Sequence, residues 1–391
     1  MRRLSAGMKS LPLSLLVSAL AASAALGQEP ASPPEVFSFP EELSLVPQAV
    51  QEAAAEENAE SADVPLGMTA AEEALYRAQI AWIDEDWIAA RQYAETAAAA
   101  GDVTAAVMAG LIARDGRDLG EPNPQQAASW FSRAAEQEHP LALYEMGRLA
   151  RREVPGVNDA RDWFERAARA GHVPGMVAFA LELRESPIPQ ERVRAREWAE
   201  RAAREGFPEA MFQYAQLLDL GIGGPQDLVG ARSWYERAAA ERHAEAALQA
   251  GIMWAQGDGG EADDVRAREL MRQSAETGFA PAQGQYGLMM YQGRGGSQDI
   301  AMASYWFEQG AQGGDSESHF LFAYTLARGE GREVDFERAY FWTRIAATDA
   351  FGAPVYDASR DQLEQGLRSV LDAATMARID AEVAERLAPA D

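Results

Sequence analysis

The fold is decided by the stretch ARDWFERAARAG, residues 160–171. It places a pair of alanines four and five residues after an aromatic residue, and then a glycine. The same phrase recurs along the chain, with its first large residue (the anchor position) at 93, 130, 163, 198, 234, 270, 306 and 342. The spacings are 37, 33, 35, 36, 36, 36 and 36 residues. A fixed period of about 20 to 50 residues is the signature of a repeat array, whose units bury their apolar faces against their neighbours.

Each repeat is predicted to fold as two helices. In the quoted copy, Trp163, Ala167 and Ala170 fall on one helical face. Two helices approach closely at their small residues, so an aromatic ring of one fills the gap beside the other. Gly171 supplies the left-handed residue that ends the first helix, and a proline opens the second helix in several copies. We therefore predict an all-α fold, a right-handed αα-superhelical solenoid of about seven to eight helix-pair repeats over residues 71–348.

Glycine-rich turns close the later repeats and precede an aspartate that suits a helix N-cap. The turns span 221–224, 257–260, 293–296 and 329–331, and the aspartates are Asp227, Asp263, Asp299 and Asp335. None of these turns follows a strand or contains a lysine, so a phosphate-binding P-loop is not indicated. The acids around Asp258 and Asp263 lack the alternating positions of a calcium loop.

Three features together resemble the Sel-one-like repeat, a relative of the tetratricopeptide repeat. They are the A-x-x-W-[FY]-x-x-A-A-x-x-G phrase, the alanine after the turn, and the G-x-G…D-x-x-x-A closers such as Gly329 to Ala339. The resemblance covers roughly residues 72–348. It implies a right-handed α-solenoid that serves as an adaptor for protein partners, and exported bacterial members are linked to envelope signalling or host interaction. Glu138 and Arg242 replace the turn glycine in two copies, which predicts distorted turns there.

The charge balance excludes several classes of partner. Lys and Arg number 35 against 61 Asp and Glu, which gives a formal net charge of −26 for the 391 residues. Such a surface repels nucleic acid and anionic lipid. The chain has no cysteine, which excludes disulfides, thiolate metal sites and a cysteine nucleophile. The cysteine-rich exported relatives of the family are therefore no guide to this chain.

The N-terminus is predicted to direct export. Residues 1–27 combine early basic residues, an apolar run from Leu11 to Leu20, and small residues ending at Gly27, which is typical of a secretory signal peptide. An uncleaved membrane anchor is the alternative, although the apolar stretch is short for a span. The expected location is the bacterial periplasm or the exterior, with no membrane contact after cleavage.

Two flanking regions differ in composition from the repeats. Residues 28–70 are rich in Pro, Ala and Glu, and no Lys or Arg occurs from Gln28 to Tyr76. This composition predicts a disordered acidic tether. Residues 349–391 are predicted to form a C-terminal helical cap and tail, since a solenoid needs end units with a polar outer face. A partner-binding or dimerising tail is the alternative.

No constellation of residues points to catalysis. Three of the four histidines follow the turn position of separate repeats, about 10 Å apart, which is too far for one shared metal. The histidines are His139, His172, His243 and His319. Zinc-protease and serine-nucleophile motifs are absent. We therefore predict no catalytic residues, no metal and no cofactor, so the chain is not expected to be an enzyme.

Six residues are candidates for partner contacts. Four arginines stand three residues after an anchor position and form a ladder if the helices stack: Arg133, Arg166, Arg201 and Arg237. Such a ladder suits an acidic partner, whereas a solvated face with apolar stems is the plainer interpretation. Trp254 and Tyr291 lie near closing turns and are candidate aromatic contacts. The anchor tryptophans themselves are expected in the core.

The sequence thus favours a non-catalytic protein–protein interaction scaffold that binds a partner with an extended surface. An envelope or cell-wall-associated enzyme with a site in the solenoid groove is the alternative, and a scaffold in a division or polar complex is a third hypothesis. Neither the protein partner nor the oligomeric state follows from the residues.

Overall fold

A computed structural model describes residues 45–51, 65, 67–118, 120–347 and 358–388. These residues form helices joined by short connections, and no β-strand occurs among them. The all-α array of helix pairs predicted from the sequence is confirmed. The predicted signal peptide lies outside the described residues, as do 28–44 and 52–64 of the predicted tether. No helix in the described ranges is both long and apolar enough to cross a membrane.

Residues Pro34–Gln226 form one compact unit, and the described residues from Asp227 onward form another. The helices of the first unit are α1 Ala70–Ile83, α2 Trp87–Ala99, α3 Val103–Asp115, α4 Pro124–Ala135, α5 Pro140–Arg151, α6 Ala160–Arg169, α7 Val173–Arg184, α8 Pro189–Arg204 and α9 Pro208–Asp219. Those of the second are α10 Leu228–Ala240, α11 Ala244–Gln256, α12 Asp264–Glu276, α13 Ala280–Gln292, α14 Ile300–Gln312, α15 Ser316–Arg328, α16 Phe336–Ala346, α17 Ala358–Arg368 and α18 Ala373–Leu387. Within each unit, consecutive helices pack on each other.

The anchor helices are those that carry the anchor positions from 130 onward, namely α4, α6, α8, α10, α12, α14 and α16. In several of them, the residue after the anchor fills the core. Phe131 and Phe164 are fully buried, whereas Trp130 and Trp163 are only half-buried. A Cβ at Gly110 of α3 would lie 2.5 Å from the Phe131 ring, so the missing side chain makes room for that ring.

The expectation that the anchor tryptophans form the core is therefore wrong for most of them. Trp198, Trp234 and Trp306 are also half-buried, and Trp342 alone of the tryptophans at anchor positions is buried. Consecutive helical residues point about 100° apart, so both residues of the Trp-Phe pair border the apolar stripe. Packing of the neighbouring helix decides which of the two is covered.

The turns that lack glycine keep the same backbone conformation as the others. Glu138 has φ 55° and Arg242 has φ 65°, against 87° for Gly171. In each turn the next residue's N–H donates to a helix carbonyl, as His139 does to Ala134 at 3.2 Å. The predicted distortion is thus not found. Glu138 and Arg242 adopt the left-handed backbone conformation, which costs a residue other than glycine roughly 1 to 2 kcal/mol.

The glycine-rich closers pack against the start of an anchor helix. A Cβ at Gly295 would lie 2.1 Å from the carbonyl oxygen of Asp264, the first residue of α12. Gly331 bears the same relation to Ile300 of α14, at 2.5 Å. Both glycines have positive φ, 67° and 75°. The glycine therefore allows the loop to lie directly on the backbone of the helix start, and the loop's role is structural.

Residues 45–51 pack against the first helix pair. Leu45, Val46 and Val50 are buried in the same apolar cluster as α1, and the buried Gln79 donates from Nε2 to the Leu45 carbonyl at 2.8 Å. This short stretch lies in the range predicted as a disordered tether and does not follow that prediction. Three apolar residues within six positions bury enough surface to order it, which overall composition does not reveal.

Helices α17 and α18 lie in the range predicted as the C-terminal cap and pack on α16. Leu363 and Leu367 of α17 and Ile379 and Val383 of α18 are buried. Their capping role stays a prediction, and residues 348–357 and 389–391 lie outside the described part of the chain.

Candidate protein-binding surface

Each of the four candidate arginines lies over the tryptophan at the anchor position of its own helix. The guanidinium carbon is 5.0 Å from the ring centroid for Arg133 and Trp130, 4.7 Å for Arg166 and Trp163, 5.2 Å for Arg201 and Trp198, and 3.8 Å for Arg237 and Trp234. A cation placed over an aromatic face is attracted by the ring quadrupole. The arginines therefore cover the exposed side of the half-buried tryptophans.

The side chain three residues after the anchor position also connects one repeat to the next. Arg166 donates from Nη2 to the Ala135 carbonyl at 3.1 Å, at the C-terminal end of α4. Gln273, at the equivalent position of α12, donates to the Ala239 carbonyl of α10 at 2.5 Å. A donor at the end of a helix satisfies one of its last four carbonyls. The contacts identify a structural role, and partner binding by the four arginines stays a prediction.

Ion pairs link successive anchor helices within each unit. In the first unit, Arg194 of α8 lies 2.8 Å from Glu165 of α6. In the second, Arg266 of α12 lies 3.1 Å from Glu236 of α10, and Arg338 of α16 lies 3.0 Å from Glu308 of α14. Burial opposes ionisation of Glu308, yet hydrogen bonds from two arginines hold its pKa below the usual range. Charges on these surfaces are thus largely matched by charges of the neighbouring repeat.

Helix α14 shares this pattern at Glu308 and departs from it at two other positions. Met302 takes the place of Arg266 one repeat of 36 residues earlier, and Tyr305 takes the place of Glu269. Met302 is 41% exposed and Tyr305 is 45% exposed. Three residues after Trp306, Gln309 stands at the position of Arg237, which covers Trp234 in α10.

The aromatic residues of α14 hold each other in place. The ring of Trp306 makes edge contacts with Tyr305 and with Tyr286 of α13, each at a centroid distance of 5.4 Å. We call Met302, Tyr305 and Trp306 the α14 patch. Aromatic residues and methionine are enriched at protein interfaces. Tyrosine and tryptophan bury a large area there and lose little side-chain freedom.

The α14 patch is not among the residues predicted from the sequence, although its signal is present there. Comparison of each repeat with the copy 36 residues earlier shows that α14 replaces charged residues with Met302 and Tyr305.

The two aromatic candidates, Trp254 and Tyr291, are half-buried and have polar partners. Trp254 donates from Nε1 to Glu236 at 2.9 Å, and Arg232 lies 4.0 Å above its ring. Tyr291 donates to Glu330 at 2.5 Å. Burial raises the pKa of Tyr291, and the nearby Glu330 carboxylate raises it further. Both side chains take part in contacts within the second unit, so they offer less free surface than α14.

The histidines have structural contacts. His172 and His243 accept from backbone N–H groups through Nδ1, at 3.0 and 3.2 Å, as N-caps of α7 and α11. His319 is buried, lies on the Trp342 ring at 5.2 Å, and hydrogen-bonds the Ala311 carbonyl at 2.9 Å. Burial lowers the pKa of His319 to about 4, so its imidazole is neutral near pH 7.

The described residues contain no group of three or more His, Asp or Glu side chains arranged to hold a metal ion. A cavity of about 10 Å³ lies among α7, α8 and α9 of the first unit. Its lining is mostly apolar: Val177, Ala180, Leu181, Arg184, Ala199, Gln213 and Leu217. Drug-sized ligands occupy pockets of about 300 Å³ or more, so this cavity is small for a substrate.

Helix pairs that repeat in register and bury their aromatic residues between neighbours define an α-solenoid. The family model described as the Sel1 repeat matches seven spans: 103–139, 140–172, 177–207, 208–243, 244–279, 280–315 and 316–350. These spans cover more than half of the chain, which belongs to the Sel1, or Sel-one-like, repeat family. The family's unit begins at the helix after the turn, so it pairs the same helices in the opposite order from the phrase in the sequence. Sel1 repeat proteins are generally protein-interaction scaffolds.

Solved structures support the fold. One similar structure is described as a protective antigen of uropathogenic Escherichia coli with an SLR fold; it is 21% identical, with a TM-score of 0.67, and the match covers 89% of this chain and 78% of that one. Another is a Sel1 repeat protein from Oxalobacter formigenes, 25% identical with a TM-score of 0.60, over 83% of this chain and 90% of that one. A search among curated proteins finds no match.

Proposed function

We propose that the chain is a non-catalytic scaffold of the bacterial envelope that binds another protein through the α14 patch. The observation that carries the proposal is the exposure of Met302 and Tyr305 at positions where the preceding anchor helix, α12, has the paired charges Arg266 and Glu269. Membership of a family of interaction scaffolds supports a protein as the ligand. The export-type sequence of residues 1–27 supports the envelope as the location.

The chemistry of the patch favours an apolar anchor in the partner. Trp306 is held by two aromatic neighbours, so little side-chain freedom is lost when a ligand docks on it. Arg272 of α12, which stands 30 residues before Met302 as Glu236 does before Arg266, donates to Glu269 and Glu276 of its own helix. The formal charge of −26 favours a partner whose residues around that anchor are basic.

The test uses full-length protein to capture partners from an envelope extract. The Tyr305→Glu variant places a charge in the α14 patch. The matched control is Ser233→Glu, which places the same charge on an exposed residue at the equivalent position of α10. We expect one protein to be recovered equally by wild type and Ser233→Glu, and at least about tenfold less by Tyr305→Glu, since loss of a central interface anchor costs about 2 kcal/mol or more and about 1.4 kcal/mol is tenfold in affinity. Equal recovery by all three forms would contradict binding through α14.

The envelope location is tested separately. Cell fractionation followed by N-terminal sequencing of the protein is expected to find it outside the cytoplasm, beginning near Gln28. A protein that retains residues 1–27 in the cytoplasmic fraction would remove the envelope from the proposal and leave binding at α14 unaffected.

A further inference from the structure

The C-terminal part of α1 is buried on every side. Residues 78–82 are five consecutive buried positions: Ala78, Gln79, Ile80, Ala81 and Trp82. Consecutive residues of a helix point about 100° apart, so five in a row face all directions. A helix that opens a repeat array has a neighbour on one side only, and here α2 and, to a small extent, α3 supply it.

Residues 45–51 supply the missing cover. Leu45, Val46 and Val50 join the apolar cluster of α1, whereas Pro47, Gln48 and Ala49 between them are exposed. Val46 precedes the single turn of helix at 48–51 and Val50 lies within it, and both side chains are buried. The segment is therefore a short amphipathic ligand that contacts α1 with one face.

One buried hydrogen bond, from Gln79 of α1, fixes the position of residues 45–51. Gln79 is 4% exposed, and its amide donates to the Leu45 carbonyl at 2.8 Å. A buried amide without that acceptor would lose a hydrogen bond that the apolar surroundings cannot replace. The acceptor is a backbone carbonyl, so another peptide of different sequence can provide it.

We propose that residues 45–51 are a releasable intramolecular ligand of the first helix pair, which covers an apolar docking surface on α1 until a partner segment of the same chemistry competes for it. The competing segment has two adjacent apolar residues and a third four positions after the second, and offers a carbonyl to Gln79. Three of the seven residues, Leu45, Val46 and Val50, are buried and the other four are exposed, so we expect the docked and released forms to exchange within the folded protein. This surface lies in the first unit and is independent of binding at α14.

The chain has no cysteine, so a single introduced thiol reports its own accessibility. Three full-length variants are compared for their rates of labelling by a thiol reagent. Ala49→Cys is the exposed reference on the same turn, Val50→Cys is the docked position, and Met108→Cys is a core position in α3. Valine and methionine are replaced by a small apolar residue, which keeps each site apolar.

We expect Ala49→Cys to react fastest, Val50→Cys at least about tenfold more slowly, and Met108→Cys at least about tenfold more slowly again, because local opening costs less than opening of the core. Equal rates at 49 and 50 would show that the segment is not docked. Equal rates at 50 and 108 would show that it is a fixed part of the core. Either result would overturn the proposal.

Competition is tested with a synthetic peptide of residues 42–52, ELSLVPQAVQE. Covalent linkage gives residues 45–51 an effective concentration of order 1 mM, so a peptide at about 1 mM competes measurably. We expect it to accelerate labelling of Val50→Cys at least about twofold and saturably, and a peptide with aspartate at the positions of Val46 and Val50 to have no effect. Two equally inactive peptides would refute competition. So would concentration-dependent dimerisation of a full-length Val50→Asp variant that neither peptide inhibits, because the occupant would then be a second copy of the chain.

Discussion

The two ends of the repeat array are covered in different ways. At the first helix pair, Leu45, Val46 and Val50 are buried in the apolar cluster that includes α1, and Gln79 donates to the Leu45 carbonyl. At the last anchor helix, two complete helices pack on α16 through buried leucines such as Leu367 and through ion pairs such as Arg344 with Asp380 at 2.9 Å. The segment that packs on the first helix pair is short and has no charged residue, whereas the two helices that pack on α16 are long and carry charged residues.

This difference separates a reversible contact from a structural one. A few apolar contacts are lost and regained easily and respond little to salt. A pair of helices with a buried core resists opening, and its charges make it sensitive to salt and to pH. Substitutions at the two ends should therefore differ in the size of their effects and in how those effects respond to salt and acid.

Truncation of Leu367 is expected to have the largest effect. Leu367 is fully buried, so Leu367→Ala leaves a cavity and should lower the free energy of opening α17 by about 4 kcal/mol. Hydrogen exchange of the α17 amides in the full-length protein measures this change. Leu387→Ala in α18 is the control, since Leu387 is 46% exposed and should change little. Similar effects of the two changes would mean that α17 is not part of the packed core.

Acid is expected to lower the free energy of unfolding through His319, which lies on Trp342 of the last anchor helix. Burial holds the pKa of His319 at about 4, against 6.5 for the ordinary imidazole. The unfolded form therefore binds the extra proton in this range, and the group's contribution to stability falls as the pH drops from 7 to 4 and is constant below. The total loss is roughly 3 kcal/mol.

Arg360 and Arg386 both disfavour protonation of His319. Urea unfolding of wild type and His319→Gln at pH 7, 5.5 and 4 tests the prediction, because glutamine keeps a donor for the Ala311 carbonyl and has no charge to gain. The stability difference between the two proteins should shrink or reverse on acidification. An unchanged difference across this range would mean that His319 is accessible to protons in the folded protein.

Truncation of Val50 tests the first end. Val50→Ala removes two buried methyl groups and should weaken docking of residues 45–51 by about 1 kcal/mol, with little dependence on salt. Hydrogen exchange of α1 measures the change, and Ala49→Gly at an exposed position is the control. A salt-dependent effect would mean that charges rather than apolar contacts hold the segment.

Loss of a single ion pair should have the smallest effect. Asp380→Asn breaks the contact with Arg344, and both side chains are about one-third exposed or more. Exposed pairs contribute about 0.5 kcal/mol, which salt screens. Hydrogen exchange of α18 at low and at about 1 M salt should show the loss only at low salt. An equal loss at both ionic strengths would place this pair in a less solvated environment.

Much of the fold follows from the sequence because repetition is a strong signal. The recurrence of Ala167, Ala168 and Gly171 every 36 residues or so predicts helices, closely packed interfaces and turns, since small residues let two helices approach closely and a left-handed glycine ends a helix. Which aromatic residue enters the core does not follow, because Trp163 and Phe164 border the same stripe and only the neighbouring helix chooses between them.

The surfaces are harder to predict than the core. Residues 45–51 resemble their acidic, proline-rich surroundings, and three apolar side chains do not change an average over the segment. The role of Arg166 depends on where the previous repeat ends, which is set by packing. Met302 and Tyr305 stand out only when repeats are compared position by position, because single exposed apolar residues are common on any surface.

Helix α14, which has Met302 and Tyr305 where α12 has charged residues, is the proposed partner-binding helix. The decisive test is hydrogen exchange of the full-length protein, alone and with the protein captured by wild type but not by Tyr305→Glu. We predict new protection concentrated in residues 300–312 and their contacts in α13. Protection confined to the charge-paired anchor helices, such as residues 189–204 or 264–276, with α14 unchanged, would contradict binding at α14.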